Sequence, residues 1–144
     1  MKSKRPGDAQ PRRPRTIAVS SAATPAAIAE LRHRAAEFAT AHGADAKLTA
    51  DVALAVSEAV TNVVKYAYGP EPGADAGKVE LHGDADSGWL EVRVCDEGDG
   101  FGKGASDGLG LGLSIMASLS AELTIVQEGD GTEVRMRFPL PAPR

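Results

Sequence analysis

The chain is poor in the residue types that mark whole classes of protein. Among 144 residues there is one cysteine, Cys95, so no intramolecular disulfide can form and a cysteine-rich zinc site is excluded. Aromatic residues make up 4% of the chain, so the core must be assembled from small aliphatic side chains. No apolar run approaches the roughly 20 residues that span a bilayer. The basic N-terminus is not followed by the hydrophobic region of a secretory signal. Together these absences lead us to expect a cytoplasmic protein with neither export nor membrane anchoring.

What is present is ordinary in amount and uneven in placement. Hydrophobic residues are 42% and charged residues 25% of the chain, values typical of a soluble folded domain. The length suits one domain with a real core. The net charge of -4 conceals an asymmetry: the first 15 residues hold Lys2, Lys4, Arg5, Arg12, Arg13 and Arg15 against Asp8, a net of +5, leaving 10 basic and 19 acidic residues elsewhere, a net of -9. With Pro6, Pro11 and Pro14 interspersed, residues 1–14 read as a solvated, disordered arm, a partner-binding arm being the alternative. Residues 15–141 form the expected folded domain. Its acidity argues against direct contact with nucleic acid.

The order of elements follows from periodicity and punctuation. Residues 15–20 alternate as a short strand, and Thr24-Pro25 supplies an N-cap followed by proline at the first helical position. The helix it starts carries its apolar stripe on Ile28, Leu31, Ala35 and Phe38 and stops at Gly43. A longer helix is expected from Asp45 to Tyr68. Residues 70–77 read as a loop, and two alternating segments, 79–81 and 90–94, as a hairpin turning at Asp86-Ser87-Gly88. A glycine-dense loop then runs to Gly112, followed by an apolar helix to about Glu122. A last hairpin, 123–126 with 133–138, turns at Gly129-Asp130-Gly131. The pattern predicts an α/β (α+β) two-layer sandwich, with a mixed β-sheet covered on one face by helices.

Three features carry possible chemistry. At 100° per residue, Glu58, Asn62 and Lys65 fall within about 60° of one another, opposite the apolar stripe of the long helix. A carboxylate and a carboxamide one turn apart can share a divalent cation or a water, although the same pair also suits an ordinary solvent face. Second, Asp96-Glu97-Gly98-Asp99-Gly100 follows a strand directly. Its glycines would let a ligand approach the backbone, and Asp96 could accept hydrogen bonds from a base edge; a plain acidic turn is the alternative. Third, Gly108, Gly110 and Gly112 alternate just before a helix, which exposes backbone N–H groups at a positive helix terminus suited to polyphosphate. No Gly-Lys-Ser/Thr follows, so this is not a Walker A loop, and the glycine spacing is not that of a Rossmann fingerprint.

In order and spacing these pieces resemble the GHKL ATPase superfamily, which includes histidine kinases and gyrases, over about residues 50–140. Within it, the run Ser57-Glu58-Ala59-Val60-Thr61-Asn62-Val63-Val64-Lys65-Tyr66-Ala67-Tyr68-Gly69 is similar to the anti-sigma-factor serine/threonine kinases of the RsbW type. The resemblance implies a Bergerat-type fold that binds ATP and Mg²⁺. It implies that Asn62 ligates the metal, that Glu58 orients or deprotonates the attacking hydroxyl, and that Lys65 belongs to the nucleotide site. By the same resemblance Asp96 would bind the adenine amino group, with Gly98 and Gly100 shaping the adenine pocket and Thr132 nearby. Gly108, Gly110 and Gly112, with Leu113 beside them, would form the phosphate loop. The implied partners are a sigma factor and an antagonist protein phosphorylated on Ser or Thr, with a homodimer also implied. Two departures stand out: Tyr66 replaces a frequent His, and residues 101–107 are short for an ATP lid, with Lys103 as their one cation. Alternatives are an orphan histidine-kinase-type catalytic domain, which would need a partner chain bearing the phosphoacceptor His, and a nucleotide-responsive binding module without turnover.

The remaining candidates are weaker. His33, His42 and His82 share no metal-ligand spacing, and neither Ser57 nor Ser114 has a plausible His partner for a hydrolytic triad. Cys95 reads as a buried structural thiol and Trp89 as core or edge packing.

Overall fold

The computed structural model describes residues 15–68, 77–98, 107–129 and 131–142. Strand β1 (Thr16–Ala22) leads to helices α1 (Pro25–Ala41) and α2 (Ala46–Asn62), and a π-helical turn, Val63–Ala67, continues α2. Strands β2 (Lys78–Asp86) and β3 (Trp89–Asp96) form a hairpin; helix α3 (Asp107–Leu119) and the hairpin of β4 (Glu122–Glu128) and β5 (Gly131–Pro139) complete the fold. The basic arm proposed for residues 1–14 lies outside the described residues, as does the lid segment 101–106 with Lys103.

Local chemistry accounts for most boundaries. Pro25 sits at the start of α1, but the Thr24 side chain makes no capping bond. Asp45 does cap α2: its side chain accepts the Leu48 N–H at 2.8 Å. Gly43 follows α1 with φ +96°, a left-handed conformation that glycine adopts without steric cost. The β2–β3 turn places Ser87 at φ 53° and Gly88 at φ 82°, the doubly positive geometry that matches strand twist in a two-residue hairpin.

The sheet order is β1-β2-β3-β5-β4, and every neighbouring pair is antiparallel. This corrects the expected mixed sheet. The helical crossover from β3 through α3 does return β4 parallel to β3, but β5 lies between them, so the parallel strands never pair. Between β1 and β2 the chain passes through two helices, which brings it back in the antiparallel sense.

One face of the sheet packs against the helices and the other faces solvent. Facing inward, Leu81, Val94 and Val134 stand side by side in register, then Gly83, Val92 and Met136, then Ala85, Leu90 and Phe138. Leu31, Ala35 and Phe38 of α1 and Val52, Val56 and Val60 of α2 complete this core. The outward positions carry ion pairs: Arg135 with Glu133 and Glu91, Arg93 with Glu133, and Arg137 with Glu122. Trp89 lies on this side with the Arg137 guanidinium 4.4 Å over its ring, an edge-packing role. Such partly solvated pairs contribute little individually.

Two helix boundaries differ from expectation. The α-helix expected to run to Tyr68 gives way at Asn62 to the π-helical turn. Helix α3 begins at Asp107 and ends at Leu119, so Gly108 and Gly110 lie inside its first turn, and Glu122 opens β4 instead of closing the helix. Glycine's weak helix propensity suggested a loop there; packing of α3 against α2 overrides it.

A Cβ at Gly83 would come 2.8 Å from Phe38 Cε2 and 3.0 Å from Ile17 Cγ1. Gly83→Ala is therefore expected to destabilise the fold by about 1–3 kcal/mol through overpacking. Urea denaturation measures it, and an unchanged midpoint would refute this account of the α1–sheet contact.

Candidate functional site

Along the sheet's inward-facing stripe the last register row is Val79, Asp96 and Thr132. In that row apolar residues give way to two polar ones on adjacent strands. Asp96 is 7% and Thr132 4% exposed, and with Asn62 at 5% they are the buried polar or charged residues of the described chain. Burying polar side chains is costly unless they are satisfied; Asp96 receives the Gly98 N–H, whereas Asn62 keeps an unpartnered atom. All three were candidates from sequence.

Asn62 closes the α-helical part of α2. Its Nδ2 is buried without a hydrogen-bond partner. Across from it lies Gly112 of α3, buried and lacking a side chain. A Cβ built there would stand 3.1 Å from Asn62 Nδ2, 3.4 Å from Asn62 Oδ1 and 3.5 Å from Glu58 Oε2. The carboxylate of Glu58 and the carboxamide of Asn62 thus face one point beside Gly112, where α3 comes so close that even a Cβ would need Asn62 to shift by a few tenths of an ångström. Oxygen donors and an unsatisfied N–H₂ together suit a hydrated cation and the anion it accompanies. Among the described residues no three His, Cys, Asp or Glu side chains gather to cage a metal. Glu58 Oε2 and Asn62 Oδ1 are the oxygens here that could hold a divalent cation such as Mg²⁺.

The end of β3 is fixed by tight contacts. The Gly98 N–H donates to Asp96 Oδ1 at 2.9 Å, turning the chain back on the carboxylate. A Cβ at Gly98 would collide with the Ala67 carbonyl oxygen and lie 2.8 Å from Tyr68 Cδ1, so β3 can meet the end of the π-helical turn only with glycine at 98. π-helical turns within α-helices are frequent at functional sites. This one lies between Asn62 and the segment that touches Gly98. A cleft of about 320 Å³ reaches Asp96 and Thr132 but is otherwise lined by Gly131 and by the outward-facing Cys95, Val126, Glu133 and Arg135, so it lies on the solvent face of the sheet and is distinct from the point beside Asn62.

The other candidates are placed as follows. Lys65 is exposed on the π-helical turn, where the 100° spacing that set it beside Glu58 and Asn62 no longer applies. Leu113 is partly buried against the core, while Gly108 and Gly110 belong to the start of α3. Gly100 lies outside the described residues. Cys95, expected to be buried, is half-buried on the outward face, its Sγ 3.7 Å from Glu133 Oε1. Burial, reinforced by the charge of Glu133, pushes its thiol up to about 12, so at neutral pH it is protonated and a poor nucleophile. Sequence reasoning missed the hydroxyl of Tyr68, which accepts the Glu97 N–H at 2.9 Å and donates to the Lys78 carbonyl at 2.5 Å. An aromatic residue immediately before Gly69-Pro70 was the available signal.

With this geometry in place, comparison with known proteins is specific. Residues 21–138 match the family model described as the histidine kinase-like ATPase domain, and the chain belongs to that family. Its fold is that of a GHKL, RsbW-like ATPase. A solved structure similar to it is that of the RsbU and RsbW domains of Rv1364c from Mycobacterium tuberculosis, with a TM-score of 0.70 and 25% identity over 89% of this chain. This chain covers 33% of that one. No curated protein matches the sequence. No helix among the described residues is long and apolar enough to cross a membrane.

Because Gly112 faces the converging polar atoms, Gly112→Ala separates stability from ligand binding. Alanine favours the helix by up to about 1 kcal/mol over glycine, while its Cβ, 3.1 Å from Asn62 Nδ2, forces that amide to shift; the two roughly offset, so thermal stability is expected to change by no more than about 1 kcal/mol while ATP affinity falls at least about tenfold. Equal ATP affinity in the variant would show that this point is not part of the binding site.

Proposed function

We propose that this member of the histidine kinase-like ATPase family binds Mg-ATP between α2, α3 and the ends of β3 and β5, and acts as an anti-sigma-factor protein serine/threonine kinase. The observation that carries the reading is the convergence of Glu58 Oε2 and the Asn62 carboxamide within 3.5 Å of one point beside Gly112, with Asn62 Nδ2 buried and unpartnered. A phosphate oxygen would satisfy that donor, and Asn62 Oδ1 would face the metal. Mg²⁺, when bound, supplies neutralisation of the phosphate charge.

The roles of the other residues follow from their positions. The first turn of α3, which contains Gly108 and Gly110, has backbone N–H groups without intrahelical acceptors, and these would receive phosphate oxygens. Asp96 would accept the adenine amino group, its carboxylate oriented by the Gly98 N–H. Thr132, its neighbour in register, would border the base. Glu58 would accept the proton of a protein Ser or Thr hydroxyl as that oxygen attacks the γ-phosphorus and ADP departs. Positioning and electrostatics supply most of the catalysis of such a transfer.

The specialised role as an anti-sigma factor draws on the resemblance of residues 57–69 to RsbW-type kinases and on the similarity to a solved chain that contains an RsbW domain. In this reading the protein sequesters a sigma factor and phosphorylates a small antagonist protein, releasing the sigma factor when the antagonist is unphosphorylated.

The test is incubation with γ-labelled ATP, Mg²⁺ and candidate antagonist proteins. Acid-stable label on a partner Ser or Thr is expected. Acid-labile label on His would instead identify a histidine-kinase-type catalytic domain, and tight ATP binding without transfer a binding module. Glu58→Gln should lower transfer by about 10²–10⁴-fold, far more than it lowers ATP affinity; transfer at the wild-type rate would remove Glu58 from the role of base.

A further inference from the structure

We propose that Tyr68 is a positioning residue for the Asp96 carboxylate, so that selectivity for a 6-amino purine depends on a phenol that need not touch the nucleotide. This rests on the reading of Asp96 as the base-binding carboxylate given above. Tyr68 is the first residue beyond the π-helical turn. Its ring covers two strand ends at once: a Cβ at Gly98 would lie 2.8 Å from Tyr68 Cδ1, and one at Gly77 would run into Cδ1, Cε1 and Cζ of the same ring. Its hydroxyl donates to the Lys78 carbonyl at the start of β2, at 2.5 Å, and accepts the Glu97 N–H just past β3, at 2.9 Å. One side chain from the end of α2 therefore binds both strands that meet there.

The consequence for Asp96 is direct. The Glu97 N–H belongs to the peptide that leaves Asp96, and the next peptide N–H, that of Gly98, donates to Asp96 Oδ1. Tyr68 holds the first of these peptides, and the Asp96 side chain is oriented by the second. If the first is released, the second can rotate, and the carboxylate loses a donor that helps to set its direction. Hydrogen bonds to charged groups are among the stronger protein contacts, so this loss bears on recognition. Partial burial, the largest influence, raises the Tyr68 phenol above its ordinary pKa. It therefore stays protonated at neutral pH and keeps its role as donor to Lys78.

Tyr68→Phe keeps the ring that fills the space over Gly77 and Gly98 and removes only the hydroxyl. The probes are ATP and purine riboside triphosphate, which lacks the 6-amino group, each titrated against the full chain. In the wild type ATP is expected to bind more tightly than the analogue. In Tyr68→Phe that ratio should fall about tenfold through weaker ATP binding, with analogue affinity nearly unchanged. Equal weakening of both ligands would mark Tyr68 as merely structural and overturn the inference, as would an unchanged ratio. A second readout needs no nucleotide: the Glu97 amide should exchange its hydrogen faster in Tyr68→Phe, and unchanged protection also overturns the inference. A wild-type protein that binds both ligands equally would remove Asp96 from base recognition, and the role of Tyr68 with it; a selective wild type with a selective variant would remove Tyr68 alone.

Discussion

Leaving the N–H₂ of a buried carboxamide without a partner costs on the order of 1–3 kcal/mol, and Asn62 carries that penalty at the last α-helical position of α2. The groups around it cover the amide without satisfying it. Gly112 brings α3 close to the amide with no side chain between them, and Glu58 reaches the same point from one turn earlier on α2. A tightly packed interior would normally pair or exclude such a group, which supports the proposal that a ligand completes it.

The topology gathers the remaining parts at the same end. Two helices between β1 and β2, and one between β3 and β4, give an antiparallel sheet with all its helices on one face. The inward stripe of β3 and β5 is apolar for most of its length and ends in Asp96 and Thr132. The end of α2 meets the end of β3 through Ala67, Tyr68 and Gly98. The groups proposed to bind base and phosphate are thus held by a sheet and two helices whose close approaches depend on Gly98 and Gly112 and on the Tyr68 side chain. The outward face, with its Arg and Glu pairs, takes no part in this arrangement.

Much of this was legible in the sequence because it depends on short-range rules. Period-two alternation located β2, β3 and β5; Asp45 and Gly43 marked helix ends; and Glu58 and Asn62 stood one turn apart. Asp96 was flagged by its place at a strand end before two glycines and Thr132 through resemblance; both are buried. What escaped the sequence depends on contacts between distant segments. The π-helical turn after Asn62 has no local signature, and it invalidates the spacing that grouped Lys65 with Glu58. The start of α3 at Asp107 defies glycine's propensity. Tyr68 was visible only as a helix end, since its hydroxyl partners lie 10 and 29 residues away. The mixed sheet was expected because a βαβ-like crossover is present, but inserting β5 between the parallel strands is a global choice that no local pattern reveals.

The central claim is that the buried amide of Asn62 awaits Mg-ATP, and calorimetric titration of ATP into wild type and Asn62→Ala, with and without Mg²⁺, tests it most directly. The account predicts Mg²⁺-dependent binding to the wild type and a loss of at least about tenfold in the variant, while the variant's thermal stability holds or rises because an unsatisfied buried group has been removed. ATP binding of equal strength by Asn62→Ala, or a wild type that binds no ATP, would contradict it.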